Sequence, residues 1–340
     1  MIFQKRKDFS QQFSPAPALG GLTQIAISRE FHIESLVLIV PVTFAGSAGS
    51  GASPAIGNGL LDIVKRLTLT IQDGSQNRNV FDVTGAGAIF DAATLANRLD
   101  SGTNAARNVN DDTNVAADGT YLIRIPLCAC NPSFAEPLFS RFLLPAPRYQ
   151  ANPVLNVTLA SKAQITSDAT ATLTLGAPVL EINRRFVNLQ GFVPFDFDVI
   201  ETRNTFAGGG QQIVEIPTPG SYSSLMILND PDAPAHADLL GGGEARIQML
   251  GQTIQRWTEP TLLSETDSRT TFTPFRGLRM LDFVGDGKGQ VASLDGALNT
   301  NALQLTGARM QVIQAIAGAS AQNFLARRIF GDIRDLRAIK

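Results

Sequence analysis

The stretch Ile63-Val64-Lys65-Arg66-Leu67-Thr68-Leu69-Thr70-Ile71-Gln72-Asp73-Gly74 decides the fold class. Leu67, Leu69 and Ile71 share one face, Thr68 and Thr70 take the other, and Asp73-Gly74 closes the run with a turn signal. Period-two alternation with threonine outward describes an antiparallel strand with one buried and one wet face. Ala169, Ala171, Leu173 and Leu175 alternate with Thr170, Thr172 and Thr174 in the same way.

Working outward, the pattern returns later in the chain. A shift of 180 residues lays Lys65-Arg66-Leu67-Thr68-Leu69 over Ala245-Arg246-Ile247-Gln248-Met249, and a shift of 189 lays Ser35-Leu36-Val37-Leu38 over Ser224-Leu225-Met226-Ile227. The two offsets agree to within a loop. A repeat this long describes two similar β domains in tandem, because solenoid units run only to about 20–50 residues.

Strands are expected at 22–29, 34–44, 63–72, 79–84, 120–128, 152–160 and 169–184, then at 195–203, 211–217, 222–228, 244–250, 261–266, 278–284, 301–306 and 309–316. About eight per half is the count of a jelly roll. The fold class expected is therefore all-β: two tandem eight-stranded antiparallel jelly rolls with a few short helices. Two helices are expected, Ala86–Arg98 with Ile89, Ala93 and Ala96 on one face, and Ser320–Arg337 with Phe324, Ile329, Ile333 and Leu336 apolar. The Gly- and Asn-rich stretches 46–59, 101–119, 207–210 and 285–290 read as loops. The division expected is an N-terminal arm (1–20) read as an extended tether, a first jelly roll (21–190), a second (191–318) and a C-terminal helix or tail (319–340).

Composition narrows the function. Charged residues are 17% of the 340, against about 25% in an ordinary domain, so polar surface comes from Asn, Gln, Ser and Thr. A chain with so little charge is expected to hide much of its outside against partners. A net charge of −2 does not describe a nucleic-acid groove. The longest apolar run, Leu36 to Ala45, is about half of a membrane span and is broken by Pro41 and Thr43. Lys5-Arg6-Lys7 is followed by polar residues, which is not a secretory pattern, so the chain reads as soluble and made in the cytoplasm.

Catalytic constellations are thin. His32 and His236 are the only histidines, far apart and without ligand spacing to Cys128 and Cys130, which sit two apart on one strand face as reduced thiols. The cluster a cupin needs is missing, as is Gly-x-Ser-x-Gly for a nucleophile elbow; Asp196/Asp198 and Asp230/Asp232 read as strand or turn residues rather than a glycosidase pair. No enzyme and no cofactor is expected. The places where oxygens cluster for a structural Ca²⁺ are Asn229-Asp230-Pro231-Asp232, Asp282 with Asp286, and Asp111-Asp112, none of which matches an EF-hand loop.

The chain resembles the double jelly-roll major capsid proteins of tailless icosahedral viruses, in particular the membrane-containing bacteriophages of the tectivirus and corticovirus kind. Ile63 to Ile71 carries the resemblance, followed by Val80-Phe81-Asp82-Val83-Thr84-Gly85 leading into a short helix and Leu143-Leu144-Pro145-Ala146-Pro147-Arg148-Tyr149 before a strand. In the second half it rests on Leu281-Asp282-Phe283-Val284, Ser293-Leu294-Asp295 and Leu303-Gln304-Leu305. The resemblance implies a virion protein assembled in the host cytoplasm. Three chains would close a pseudo-hexameric homotrimer that meets neighbouring capsomers, penton or minor capsid proteins and the internal viral membrane, with no specific nucleic acid. It also implies outward towers built from loops such as 101–119 and 207–210.

The ends are basic: Lys5, Arg6 and Lys7 at one, Arg327, Arg328, Arg334, Arg337 and Lys340 at the other. Read as lying outside both sandwiches, they are candidate contacts to anionic lipid or an acidic neighbour. The alternative function is another phage structural protein (spike, vertex or receptor-binding) or a carbohydrate-binding β-sandwich. That last class should expose Trp or Tyr platforms, and the chain has one Trp and three Tyr.

Overall fold

The computed structural model describes residues 4–46, 52–56, 59–96, 114–128, 143–186, 196–207, 210–216, 220–229, 244–249, 252–258, 278–282, 298–300, 310–316 and 320–330. The chain forms two compact units, Met1–Pro194 and Phe195–Lys340.

The first unit contains β1 (Gln4–Ser10), β2 (Leu22–Ala26), β3 (His32–Ala45), β4 (Ala52–Pro54), β5 (Val64–Asp73), β6 (Gln76–Val83), α1 (Gly85–Ala96), β7 (Asn114–Ala117), β8 (Gly119–Cys128), β9 (Val154–Leu159), β10 (Thr172–Leu175) and β11 (Val179–Phe186). One sheet runs β8-β3-β11-β1, with β10 continuing β11 along β3. The other runs β6-β5-β9-β2. Each turns an apolar face inward: Leu36, Leu38, Val40, Ile123, Ile125 and Leu180 from the first, Ile25, Leu67, Leu69, Leu155 and Val157 from the second, all buried. Such pairs of half-apolar sheets bury their stripes against each other.

The second unit contains β12 (Asp196–Phe206), β13 (Gly210–Ile216), β14 (Ser221–Asn229), β15 (Glu244–Met249), β16 (Gln252–Thr258), β17 (Leu278–Asp282), β18 (Leu298–Asn299), β19 (Met310–Ile316) and β20 (Ser320–Phe330). Its sheets run β17-β14-β20-β12, with β18 also on β14, and β16-β15-β19-β13. Phe206, Tyr222, Leu225 and Phe324 from one meet Val214, Ile247 and Trp257 from the other in a single buried cluster. The two units have the same sheet orders strand for strand. The sequence repeat falls on this equivalence: residues 65–69 and 245–249 lie in β5 and β15, and residues 35–38 and 224–227 in β3 and β14.

Four expectations are corrected. Residues 4–10 are not a tether but β1, paired over its whole length with β11. Residues 320–330 are not a helix but β20, the central strand between β12 and β14. Burial there is continuous from Ala321 to Leu325 and then alternates, which is no helical stripe. The helix propensity of its Ala, Gln, Leu and Arg is overridden by ladders on both sides. The run at 169–184 is two strands, which pair with β3 on either side of Pro41, and between them Gly176 donates its N–H to the Pro41 carbonyl at 2.8 Å. A Cβ on Gly176 would lie 2.8 Å from the Pro41 ring. Finally, 52–54 and 114–117, read as loop, pair as β4 and β7. The strands expected at 261–266 and 301–306 lie outside the described residues.

The expected first helix is α1. Thr84 caps it, its hydroxyl accepting the Gly87 N–H at 2.9 Å. Gly85 must be glycine, since a Cβ would stand 2.7 Å from the Val64 carbonyl. Among the described residues no helix is long and apolar enough to cross a membrane.

Candidate functional site

The basic residues singled out at the two ends fall on equivalent strand pairs, β1–β11 and β12–β20, and their surroundings differ. On β1, Arg6, Lys7 and Phe9 are exposed and Asp8 and Ser10 are half-buried. Lys7 Nζ lies 2.8 Å from Glu181 Oε1 on β11, and Arg124 of β8 reaches the same carboxylate at 3.6 Å from the other side. Asn183 donates to Glu181 at 3.1 Å and to Ser35 at 3.1 Å. Burial by itself pushes Glu181 up, but the bonds from Lys7 and Asn183 and the charges of Lys7 and Arg124 outweigh it and hold the carboxyl below its ordinary range.

On the opposite face of the same strands, Arg184 Nε stands 3.1 Å from Asp8 Oδ2 as an ion pair out of hydrogen-bond line. Arg6 donates to Asp8 at 2.8 Å, and both arginines lie over the Phe31 ring. Further along β11, Arg185 pairs with Glu34 of β3 at 2.7 Å and stands opposite His32. Burial first, and the Arg148 charge second, lower His32 to about 4. Its Nε2 has no partner among the described residues.

The second-unit residues are drawn inward. Arg328 of β20 grips Asp198 of β12 through two nitrogens, with Nε 3.1 Å from Oδ1. It also donates to the Tyr222 hydroxyl. Burial pushes that phenol well above its ordinary range. Arg327 is buried with its guanidinium over Phe197, and Asn323 donates to buried Glu201 at 2.7 Å. Arg327 is therefore buried and Arg328 half-buried, whereas Arg6 and Lys7 stand on an exposed edge; Lys5 lies on the same strand, opposite Arg185. Arg334, Arg337 and Lys340 lie outside the described residues.

The cleft beside Arg328, lined by Asp198, Thr202, Glu215 and Tyr222, measures about 30 Å³. That is room for a water or two and not for a substrate. Among the described residues no three His, Cys, Asp or Glu converge as metal ligands. Asp111, Asp112, Asp230, Asp232, Asp286 and His236 lie outside them. Trp257, Tyr121, Tyr149 and Tyr222, the full complement of Trp and Tyr, are all buried.

Two antiparallel sandwiches in tandem, each of two sheets in one repeated strand order, make this a double jelly roll. The solved structures most like it include the major capsid protein of Sulfolobus turreted icosahedral virus, with a TM-score of 0.68 at 14% identity, covering 99% of this chain and 100% of that one. The major capsid protein P2 of bacteriophage PM2 matches with a TM-score of 0.60 at 10% identity, covering 97% and 99%. The faustovirus major capsid protein gives 0.60 at 10%, covering 97% and 90%. At these identities the likeness is one of fold. No family model and no curated protein matches the sequence.

Proposed function

We propose that this chain is the major capsid protein of an icosahedral virus, located in the virion shell. The observation that carries the proposal is the match of the double jelly roll to viral major capsid proteins from end to end of both chains. In this reading three copies close a trimer that presents six similar sandwiches, and trimers meet one another across the shell. Closed cyclic symmetry suits a chain whose two halves share a fold but not a surface. Low charge content supports burial of much of the outside in the assembly.

The exposed edge strand β1 supports a narrower part for the basic N-terminal residues, contact with a neighbour or an anionic surface through Arg6 and Lys7. The carbohydrate-binding alternative is disfavoured by burial of every Trp and Tyr, because sugar platforms need exposed rings.

The test is the mass of the purified protein in solution followed by electron microscopy of assembled material. A species of three times the 36.3 kDa chain that builds shells is the expected result. A monomer at all micromolar concentrations would sink the reading.

A further inference from the structure

Strand β1 ends its sheet: among the described residues it pairs with β11 along its whole length and with nothing on its other side. About half of the backbone N–H and C=O groups of Gln4–Ser10 therefore point out of the ladder. An open edge of this length is a template for one more strand. Its side chains alternate between the two faces of the sheet, Arg6 and Asp8 on one, Lys7 and Phe9 on the other, with Phe9 62% exposed. On each face a carboxylate is shared by two cations: Asp8 by Arg6 and Arg184, Glu181 by Lys7 and Arg124. Neither Arg6 nor Lys7 has a counter-ion to itself, and both side chains are more than half exposed.

We infer that this edge receives an extended acidic segment of another protein, which adds to the sheet as a strand beside β1. The inference rests on the reading of β1 as a contact strand given above and names the chemistry of its partner. A strand laid on the edge sends its own side chains to both faces, so two adjacent acidic residues meet Arg6 on one face and Lys7 on the other, and an apolar residue beside them meets Phe9. The same divergence argues against a lipid surface, which is a plane and draws cations that share one face. A second β1 is disfavoured as well, because edge to edge it sets the Arg6-Lys7 pair against its own copy, and like charges on neighbouring strands repel.

The test uses the full wild-type chain and a fluorescent hexapeptide of threonine and valine with two adjacent glutamates at its centre, so that one falls on each face. The control is the same peptide methylated on every backbone nitrogen, which keeps the charge and removes the ladder. Fluorescence anisotropy reads binding, and hydrogen exchange reads protection of residues 4–10. The plain peptide is expected to bind with a Kd below about 1 mM and to slow exchange in β1, and the methylated one to bind at least about tenfold more weakly. Arg6→Glu and Lys7→Glu, each shown to be folded by circular dichroism, should weaken the plain peptide by a similar factor; the two peptides on wild type carry the test even where a variant fails to fold. Equal binding of the two peptides would overturn the inference, since charge alone then suffices. So would attachment of the protein to phosphatidylglycerol vesicles with no peptide bound, an outcome that leaves Arg6 and Lys7 their contact with an anionic surface. If neither peptide nor vesicle binds, the contact reading of β1 falls together with the inference, and the capsomer reading, judged on mass, is untouched.

Discussion

The pairs β1–β11 and β12–β20 occupy the same place in the two sandwiches and are stabilised in opposite ways. Along β12, Phe197, Asp198 and Val199 are buried in succession, so the strand is covered on both faces, and its partner places Arg328 against Asp198 out of water. Along β1 no described side chain is buried, and the strand is held by its backbone ladder and by ion pairs half open to solvent. One topological position thus carries a core strand in one unit and a detachable edge in the other. The difference shows in what the side chains meet.

The sharpest way to break the comparison is Arg328→Ala. It leaves Asp198, 4% exposed, without its counter-ion and takes a donor from Tyr222. Breaking a buried pair from one side costs about 3–5 kcal/mol. Urea unfolding should lose stability of that order in the transition of the second unit. A loss below about 1 kcal/mol, the level of an exposed pair, would show that the Asp198 site is wet and that the two strand pairs are equivalent after all.

Most of the sandwich was legible because alternation writes burial directly: Leu67, Leu69 and Ile71 against Thr68 and Thr70 could form only a half-buried strand. The first and last strands were not. In Lys5-Arg6-Lys7-Asp8-Phe9 nothing is apolar often enough to alternate, since β1 buries no described side chain. In β20 both faces are buried, so Phe324-Leu325-Ala326-Arg327-Arg328 shows no period of two either. Fully covered strands read as short apolar runs that periodicity cannot tell from helix. A signal did exist in the repeat: its offset of 189 carries Asp196, the start of β12, back to Lys7 in the middle of β1. The ion pairs had no such signal, because Glu181 lies far from Lys7 and Arg124 in sequence and meets them only through strand order.

Removing residues 1–10 tests the other side of the comparison. The ladder lost is exposed, and the ordering entropy of the strand offsets much of it. The first unit should stay folded with about 2 kcal/mol less stability by urea, and Glu181 and Arg184 should become solvated. Complete unfolding would make β1 a core strand like β12.

Acid sharpens the comparison through β3, the strand on the far side of β11 from β1. His32 stands opposite Arg185 on β11, and its folded value of about 4 lies below the ordinary 6.5. The unfolded chain therefore takes up its proton first as pH falls. Stability is complete above about pH 6.5, declines between 6.5 and 4, and is flat in this contribution below that. With discount for partial exposure the loss is about 1–2 kcal/mol. In His32→Gln the stability of the first unit should be level across this window. A slope identical to wild type would place the titration elsewhere.

The smallest effect expected is that of Lys7→Met, which keeps the aliphatic stem and removes the charge. Lys7 is 53% exposed, and Glu181 retains Arg124 and Asn183, so the cost should be at most about 1 kcal/mol. Its signature lies in pH. A carboxylate held below its ordinary range contributes stability that is present above that range and is lost as pH falls through the folded value. Losing Lys7 lets Glu181 rise, so the variant should differ from wild type at neutral pH and converge with it in acid. Comparing the two urea midpoints at pH 7 and at pH 3 reads this directly. A deficit as large as that of Arg328→Ala, or one that persists at pH 3, would mean that Lys7 acts through packing and that β1 is bound as tightly as its counterpart.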